Sequence, residues 1–287
     1  MFGAIGGVLF DGFAYGMLLF LLSVGLSVTL GMMNFINLAH CSFGMLGGYV
    51  TVTLLDRFGL PFFATLPFAF LAGAAASFVL EGLLFRRFYR ASELDQCLAT
   101  IGVVFMSVAA AAYVYGTVQQ PVELPSYLHG SVVYLGINFA VYRLFLVAVA
   151  VLIALVLVAT LEWTRFGAQV RAAVDNQRMA RGLGINVDRA FAITFALGSG
   201  LAGLGGALAI AMVGLDPNFA FTYLIWVLIV VSVGGLASIG GSFTAAMLLG
   251  ISDMAGKYYV PALGSFLIYL LMVGLLMWRP AGLFGKR

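Results

Sequence analysis

Three polar side chains in an otherwise apolar stretch are the residues best placed to act on a solute. Asn34, Asn37 and His40 recur at intervals of three, so they share one face if the segment is helical. Polar groups inside a membrane are costly and usually face water or the interior of a bundle. We interpret them as a wall of a translocation path, as a break where two half-helices meet, or as interhelical hydrogen bonds that fix the fold.

Nucleophilic, metal and nucleotide chemistry are not expected from this sequence. His40 and Cys41 are adjacent, and neighbours on a helix do not face each other. One histidine without nearby carboxylates or thiolates gives too few metal ligands. No G-x-x-x-x-G-K-[ST] motif occurs, so ATP must be bound elsewhere. We predict a chain that is not an enzyme, with no catalytic residue, no metal and no cofactor of its own.

One glycine pattern has an alternative nucleotide-binding interpretation. Gly198, Gly200 and Gly203 match G-x-G-x-x-G, which needs a preceding strand and a βαβ unit to bind a dinucleotide. Here the glycines lie inside an apolar run rich in small residues. That context favours close packing between helices.

A polar island separates two apolar runs in the second half of the chain. The segment Trp163–Arg189 holds seven charged residues, namely Arg165, Arg171, Asp175, Arg178, Arg181, Asp188 and Arg189. Within it, 167–183 is predicted to form one short helix along the membrane surface, because apolar residues recur at roughly helical spacing. Gly182 and Gly184 would end this helix.

Local charge pairing is also predicted within the island. Arg171, Asp175 and Arg178 are spaced for ion pairs at i,i+4 and i,i+3. Asp188 is predicted to be the N-cap of the next span. The island is then either a solvated connector that obeys the positive-inside rule or a surface offered to a partner.

Composition assigns the chain to the all-α polytopic membrane proteins. Of its 287 residues 63% are hydrophobic and 9% are charged, against roughly 25% charged in soluble domains. Closed β-barrels need short segments of alternating polarity, whereas this chain has long unbroken apolar runs. The whole chain 1–287 is predicted to be one transmembrane domain, with 164–189 as a loop within it. About nine spans are predicted, near 10–33, 38–56, 61–85, 95–116, 142–163, 189–213, 221–238, 242–258 and 261–279.

The distribution of basic residues predicts the orientation. The turn Gly234–Ser242 carries no charge, so eight crossings plus a re-entrant segment are the alternative to nine. Nine crossings put Arg57, Arg143 and Lys257 on one side and eleven basic residues on the other: Arg86, Arg87, Arg90, Arg165, Arg171, Arg178, Arg181, Arg189, Arg279, Lys286 and Arg287. The richer side is predicted to be cytoplasmic, with the N-terminus outside and the C-terminus inside.

One acidic residue within a predicted span has a basic neighbour one turn away. Asp253 and Lys257 stand at i,i+4, which favours an ion pair. Proton coupling would require a carboxylate deep in the bundle, and Asp253 is the nearest candidate.

The amino-acid sequences of four segments resemble those of one family of membrane proteins. DNQRMARGLGINVDRAFAITFALGSGLAGLGGAL, LSVTLGMMNFINLAH, GGLASIGGSF and RPAGLFGK are similar to segments of the branched-chain amino acid ABC transporter permeases. The similarity extends over most of the chain and fits the shorter of that system's two permease subunits. The shared positions in the loop are Ala180, Leu183, Gly184, Ile185, Asn186, Asp188 and Arg189.

The resemblance implies an importer subunit in a bacterial inner membrane. The loop would be a coupling helix that contacts an ATPase through Asp175, Arg178, Ala180, Arg181, Gly184 and Asn186. Two ATPases would hold ATP and Mg²⁺, a second permease (a homologous chain or another copy) would complete the pore, and a periplasmic binding protein would deliver the solute. Membrane lipid surrounds such a chain, and no nucleic acid is implied.

The chain departs from the family's pattern after His40. The family usually has glycine at the next position, and Cys41 stands there instead. Urea, amides and aromatic acids are alternatives to branched-chain amino acids as the solute. A secondary transporter or channel that works alone is the alternative function, although the sequence shows no set of intramembrane carboxylates and no repeated half.

Overall fold

In the part of the chain that the structure describes, nine long helices follow the nine apolar segments of the sequence. The computed structural model describes residues 2–33, 35–89, 91–120, 122, 124–134, 137–235 and 238–285. Asn34, Arg90, Lys286 and Arg287, which the predictions above include, lie outside these residues. The helices are α1 (Phe2–Met33), α2 (His40–Phe58), α3 (Phe62–Leu80), α4 (Arg86–Phe88), α5 (Glu93–Tyr115), α6 (Val141–Trp163), α7 (Arg165–Asp175), α8 (Gln177–Gly182), α9 (Val187–Val213), α10 (Phe219–Gly234), α11 (Ile239–Tyr259) and α12 (Gly264–Trp278).

The predicted all-α membrane class is confirmed by these helices. Among the described residues, five stretches are long and apolar enough to cross a membrane: Ile5–Gly31, Phe62–Phe88, Glu93–Tyr115, Val141–Trp163 and Val187–Val213. Two shorter apolar helices, Phe219–Gly234 and Phe266–Trp278, accompany them. A π-helical turn, Glu81–Phe85, joins α3 to α4.

A small sheet occupies part of the long segment between α5 and α6. Strands β1 (Ser131–Tyr134) and β2 (Ile137–Ala140) pair antiparallel. The ring of Phe139 packs edge-on against Phe10 of α1, with centroids 4.7 Å apart. This hairpin was not predicted from the sequence. It lies beside the N-terminal part of α1, where Asp11 pairs with Arg143 of α6.

Small residues let the central helices approach closely. A Cβ atom on Gly25 of α1 would overlap the carbonyl oxygen of Gly198 of α9, and one on Gly47 of α2 would overlap that of Gly203. Glycine permits such backbone contact between membrane helices, where van der Waals packing drives association. The close-packing interpretation of the G-x-G-x-x-G pattern is therefore confirmed.

Candidate coupling surface and translocation cavity

The polar loop forms two helices instead of the single helix predicted over 167–183. The chain leaves helical geometry at Asn176, where φ is −155° and ψ is 98°. The Asn176 Oδ1 atom accepts a hydrogen bond from the Met179 backbone N–H at 3.0 Å. An asparagine that caps the helix following it competes with continuation of the preceding helix. The prediction of one continuous helix was wrong for this reason.

The end of α8 is fixed by backbone hydrogen bonds around one glycine. Gly184 has a φ of +82°, a left-handed conformation that glycine adopts without steric cost. The Ile185 N–H donates to the Ala180 carbonyl, and the Gly184 N–H donates to the Arg181 carbonyl, both at 3.0 Å. These are the two bonds of a Schellman motif. The predicted helix end at 182–184 is confirmed.

The N-cap of α9 is a different residue from the one predicted. Asn186 Oδ1 accepts from the Arg189 N–H at 2.9 Å, so Asn186 is the cap. Asp188 lies inside the first turn of α9 and accepts a hydrogen bond from Arg181 at 2.8 Å. The ion pair links α8 to α9 across the loop.

The ion pairs predicted among Arg171, Asp175 and Arg178 do not form in the described part of the chain. The Arg171 guanidinium donates to the Leu161 carbonyl at the end of α6. The bend at Asn176 also interrupts the helical spacing between Asp175 and Arg178. The prediction was wrong because it assumed an uninterrupted helix with free arginines.

A small apolar cluster holds α8 against the bundle. Ala180 is only 2% exposed and packs with Ala173, Val187 and Phe191. At Ala180 a small side chain lets the backbone of α8 lie close to α9. A larger one would have to push the helix outward, since packed clusters tolerate added volume poorly.

Two apolar side chains, one within α8 and one directly after it, are exposed to the surroundings. Met179 is 64% exposed and Leu183 is 78% exposed, and they stand four positions apart. Arg178 is exposed beside them. Exposed apolar side chains with a polar rim mark contact surfaces for other proteins. Neither residue was chosen as a contact residue from the sequence, although their spacing of four and polar neighbours were visible there.

A polar groove lies beside α8 on the same end of the bundle. Its volume is about 410 Å³, and its lining includes Arg86, Arg87, Gln177 and Arg181. Next to it Glu81, buried in the π-helical turn, accepts a hydrogen bond from the Tyr89 hydroxyl at 2.9 Å and lies 3.6 Å from Arg86.

Burial, reinforced by the Glu81 carboxylate, raises the pKa of the Tyr89 hydroxyl above its ordinary value. The hydroxyl therefore stays protonated and remains a donor to that carboxylate. Because the arginines of the groove outnumber its carboxylates, this surface has a positive potential that favours acidic groups on a partner.

The polar residues at the start of α2 are buried in the connection between α1 and α2. His40 Nε2 lies 3.1 Å from the Leu22 carbonyl of α1, so that nitrogen carries the proton. The Asn37 amide is buried without a hydrogen-bond partner among the described residues. Residues 35–37 are not helical. Asn37 and His40 therefore do not share one helical face, and the interpretation as a break between helices fits the geometry.

Side chains of α5 hold this connection in place. The Ile36 N–H donates to Gln96 Oε1 at 3.1 Å, and the Leu38 N–H donates to Thr100 Oγ1 at 3.3 Å. Gln96 Nε2 also donates to the Phe88 carbonyl at the end of α4. One amide side chain thus ties the α1–α2 connection to the end of α4.

A cavity of about 360 Å³ lies between α2, α3 and α5. Its lining is mostly apolar, with a hydroxyl pair formed by Ser107 Oγ and Ser42 Oγ at 2.8 Å. At one end Tyr49 stacks on Tyr115 with ring centroids 4.3 Å apart, and the Tyr115 hydroxyl lies 2.7 Å from Thr53 Oγ1. A mostly apolar space with few polar groups suits a small solute with an aliphatic part.

One protein-family model matches almost the whole chain. The family model described as the permease component of the branched-chain amino acid transport system matches residues 8–276. The chain belongs to this family of permeases. The matched region includes α7 and α8, the α2 residues of the cavity and the α1–α2 connection.

Individual permeases are similar to nearly the whole of this chain. The probable branched-chain amino acid transport permease protein LivH of Methanocaldococcus jannaschii is 29% identical, over 94% of this chain and 90% of that protein. The high-affinity permease LivH of Escherichia coli K12 is 26% identical, over 97% and 94% respectively. Its LivM permease is also 26% identical, over 93% of this chain but 68% of LivM. No solved structure shows a significant match.

Within the permease, no group of three or more histidine, cysteine, aspartate or glutamate side chains that could hold a metal occurs among the described residues. Cys41 is buried in α2 beside His40. Its side chain occupies core space at the position where the resemblance leads one to expect glycine.

Proposed function

We propose that this permease is the membrane subunit of an ATP-driven importer of branched-chain amino acids. The single observation that carries the proposal is α8, a short helix capped at both ends, packed through Ala180 and exposing Met179 and Leu183. A rigid helix with an apolar contact face transmits displacement from a partner to the bundle. The substrate class comes from the names of the relatives.

The topology that fits this function has nine crossings in a bacterial inner membrane, with the N-terminus outside and the C-terminus in the cytoplasm. It is supported by the positive-inside rule, because the α7–α8 loop and the groove beside it gather arginines at one end. Only Arg57, Arg143 and Lys257 belong to the other end among the described residues. Helix α12, with 15 residues, is about 23 Å long and crosses with the least margin.

The partners follow from the same proposal. Two ATPases bind the cytoplasmic face, one on each permease, and they hold ATP and Mg²⁺. A second permease, either a homologous chain or another copy, completes the pore. The E. coli system, with its distinct LivH and LivM permeases, is the precedent for a homologous partner. A periplasmic binding protein delivers the solute, and this chain carries no catalytic group.

The coupling residues divide into two roles under this proposal. Ala180, Gly184 and Asn186 set the position of α8 through packing, helix termination and capping. Arg178 is exposed at the contact face, Asp175 precedes the bend, and Arg181 joins α8 to α9. These roles together explain why displacement of α8 would reach α9.

The translocation path under this proposal runs beside α2. The cavity between α2, α3 and α5 holds the solute. Asn37 and His40 form the closed cytoplasmic end of that route, because they are buried where α1 gives way to α2. Outward displacement of α5, which Gln96 anchors, would open them to water.

Purification of the native complex tests this proposal. The permease is extracted from its own membranes in a mild detergent, and the co-purifying chains are identified by mass spectrometry. Two ATPase copies and a second permease per complex are expected. Recovery of the chain without any ATPase, together with solute transport by that preparation, would instead establish a stand-alone carrier or channel.

A further inference from the structure

An ion pair near one end of α11 leaves part of its carboxylate unused. The Lys257 Nζ atom lies 2.6 Å from Asp253 Oδ2, which confirms the pair predicted from their spacing. The Asp253 side chain is 0% exposed, whereas that of Lys257 is 48% exposed. Asp253 Oδ1 is also buried, and it has no hydrogen-bond partner among the described residues. Since buried polar atoms are ordinarily hydrogen-bonded, this carboxylate has acceptor capacity beyond its lysine.

Two aromatic rings complete the surroundings of the ammonium group. The Lys257 Nζ atom lies 5.8 Å from the centroid of the Tyr15 ring and 5.9 Å from that of Trp226. The two rings are edge to face, with centroids 6.0 Å apart. Helices α1, α10 and α11 thus contribute one group each. Aromatic faces attract a nearby ammonium group, and a buried carboxylate adds a charge-assisted hydrogen bond to it.

This cluster lies far from the coupling surface. Met33 at the end of α1 packs against the Ala180 cluster, and Tyr15 precedes it by 18 residues in the same helix, a distance of about 27 Å. With the orientation proposed above, the cluster faces the outside. That is the face at which a binding protein releases its solute.

We propose that Asp253, Tyr15 and Trp226 form a binding site for the primary ammonium group of the transported amino acid, in which Lys257 is a tethered occupant that the incoming ammonium displaces. This inference rests on the proposed import of amino acids. Exchange of one ammonium for another keeps Asp253 paired, whereas an empty site would leave a buried charge uncompensated. The half-exposed Lys257 can move its charged end into water, because its stem is flexible.

Fluorescence of Trp226 provides the measurement. The chain has three tryptophans. Trp163 and Trp278 are both largely exposed, so they can be replaced by phenylalanine, and Trp226 then gives the whole tryptophan signal. The full-length permease is placed in lipid nanodiscs and titrated with two probes. 3-Methylbutylamine carries the ammonium without a carboxylate, and 4-methylpentanoate carries the carboxylate without an ammonium.

The variant Lys257→Met keeps the apolar stem and removes the tethered charge. It is expected to bind the amine about tenfold more tightly than the parent or better, since charge-assisted contacts are released for the probe. The carboxylate probe is expected to give no saturable change, and adding Asp253→Asn is expected to abolish amine binding. If Lys257→Met does not yield a monodisperse protein, Lys257→Gln replaces it, and the same gain in amine affinity is expected.

Two results would overturn the ammonium site: no gain in amine affinity without Lys257, or a gain that survives Asp253→Asn. Either would leave the proposed importer standing. Conversely, amine binding that follows this pattern, in a parent complex that fails to transport leucine, would refute leucine import and leave an ammonium-binding site at Asp253.

Discussion

Enlarging the side chain at Ala180 separates the coupling role of α8 from membrane insertion. Ala180 is 2% exposed and surrounded by Ala173, Val187 and Phe191. Leucine adds three carbon atoms to this packed cluster, and overpacking of this kind costs about 1–3 kcal/mol. Outward movement of α8 relieves that cost. Because coupling free energies between sites are about 1–3 kcal/mol, a loss of this size removes most of the coupling.

The assay is the number of leucine molecules imported per ATP hydrolysed by the reconstituted complex. Ala180→Leu is expected to lower this ratio by about fivefold or more, while ATP hydrolysis continues and the complex remains assembled. The control is Ala168→Leu, which makes the same change at an exposed position of α7 and is expected to keep the parent ratio. Ala180→Ser, close in size to alanine, is expected to keep it as well. A parent-like ratio in Ala180→Leu would refute the coupling role of α8.

Three further substitutions test separate parts of the account. Gly184→Val forces a β-branched residue into a left-handed conformation at about 1–2 kcal/mol or more, so we expect several-fold lower leucine uptake. The control Gly182→Ala, where a Cβ atom meets no other atom within 4 Å, should match the parent. Equal uptake by both variants would count against the role of Gly184 in ending α8. Leu183→Asp is expected to weaken ATPase binding about tenfold in a pull-down titration. Gln169→Asp, which adds the same charge at an exposed position of α7, should leave binding unchanged. Equal affinities of the two variants would exclude the proposed contact face. Ala111→Phe fills the α2–α3–α5 cavity and is expected to lower leucine uptake without altering ATPase binding; parent-like uptake would place the path elsewhere.

The helices and the loop could be predicted from the sequence because bilayer thickness imposes long apolar runs. Close helix packing could likewise be predicted at the glycines of α9, because small residues in an apolar run favour contact between backbones. These features depend on local composition, and local composition is visible in one sequence.

The details of the loop depended on competing hydrogen bonds that periodicity does not reveal. Asn176 caps α8 instead of extending α7, and Asn186 caps α9 in place of Asp188. Arg171 binds the Leu161 carbonyl instead of Asp175. In each case several partners were within reach, and residue spacing alone does not rank them.

The cavity was missed because its two polar walls are distant in the sequence. Ser42 and Ser107 are separated by 65 positions, and neither stands out in its own apolar segment. The ammonium cluster is similar, since spacing predicts the Asp253–Lys257 pair but nothing local places Tyr15 and Trp226 around it. Such sites emerge only when helices are brought together.

The central claim is that this permease forms the path for the solute while its partners supply the work. It is tested most directly by [¹⁴C]leucine accumulation in proteoliposomes that hold the binding protein, with the permeases alone or with their ATPases, with and without Mg-ATP. We expect uphill accumulation only when both the ATPases and Mg-ATP are present. Accumulation against a gradient by the permeases without any ATPase would contradict the claim.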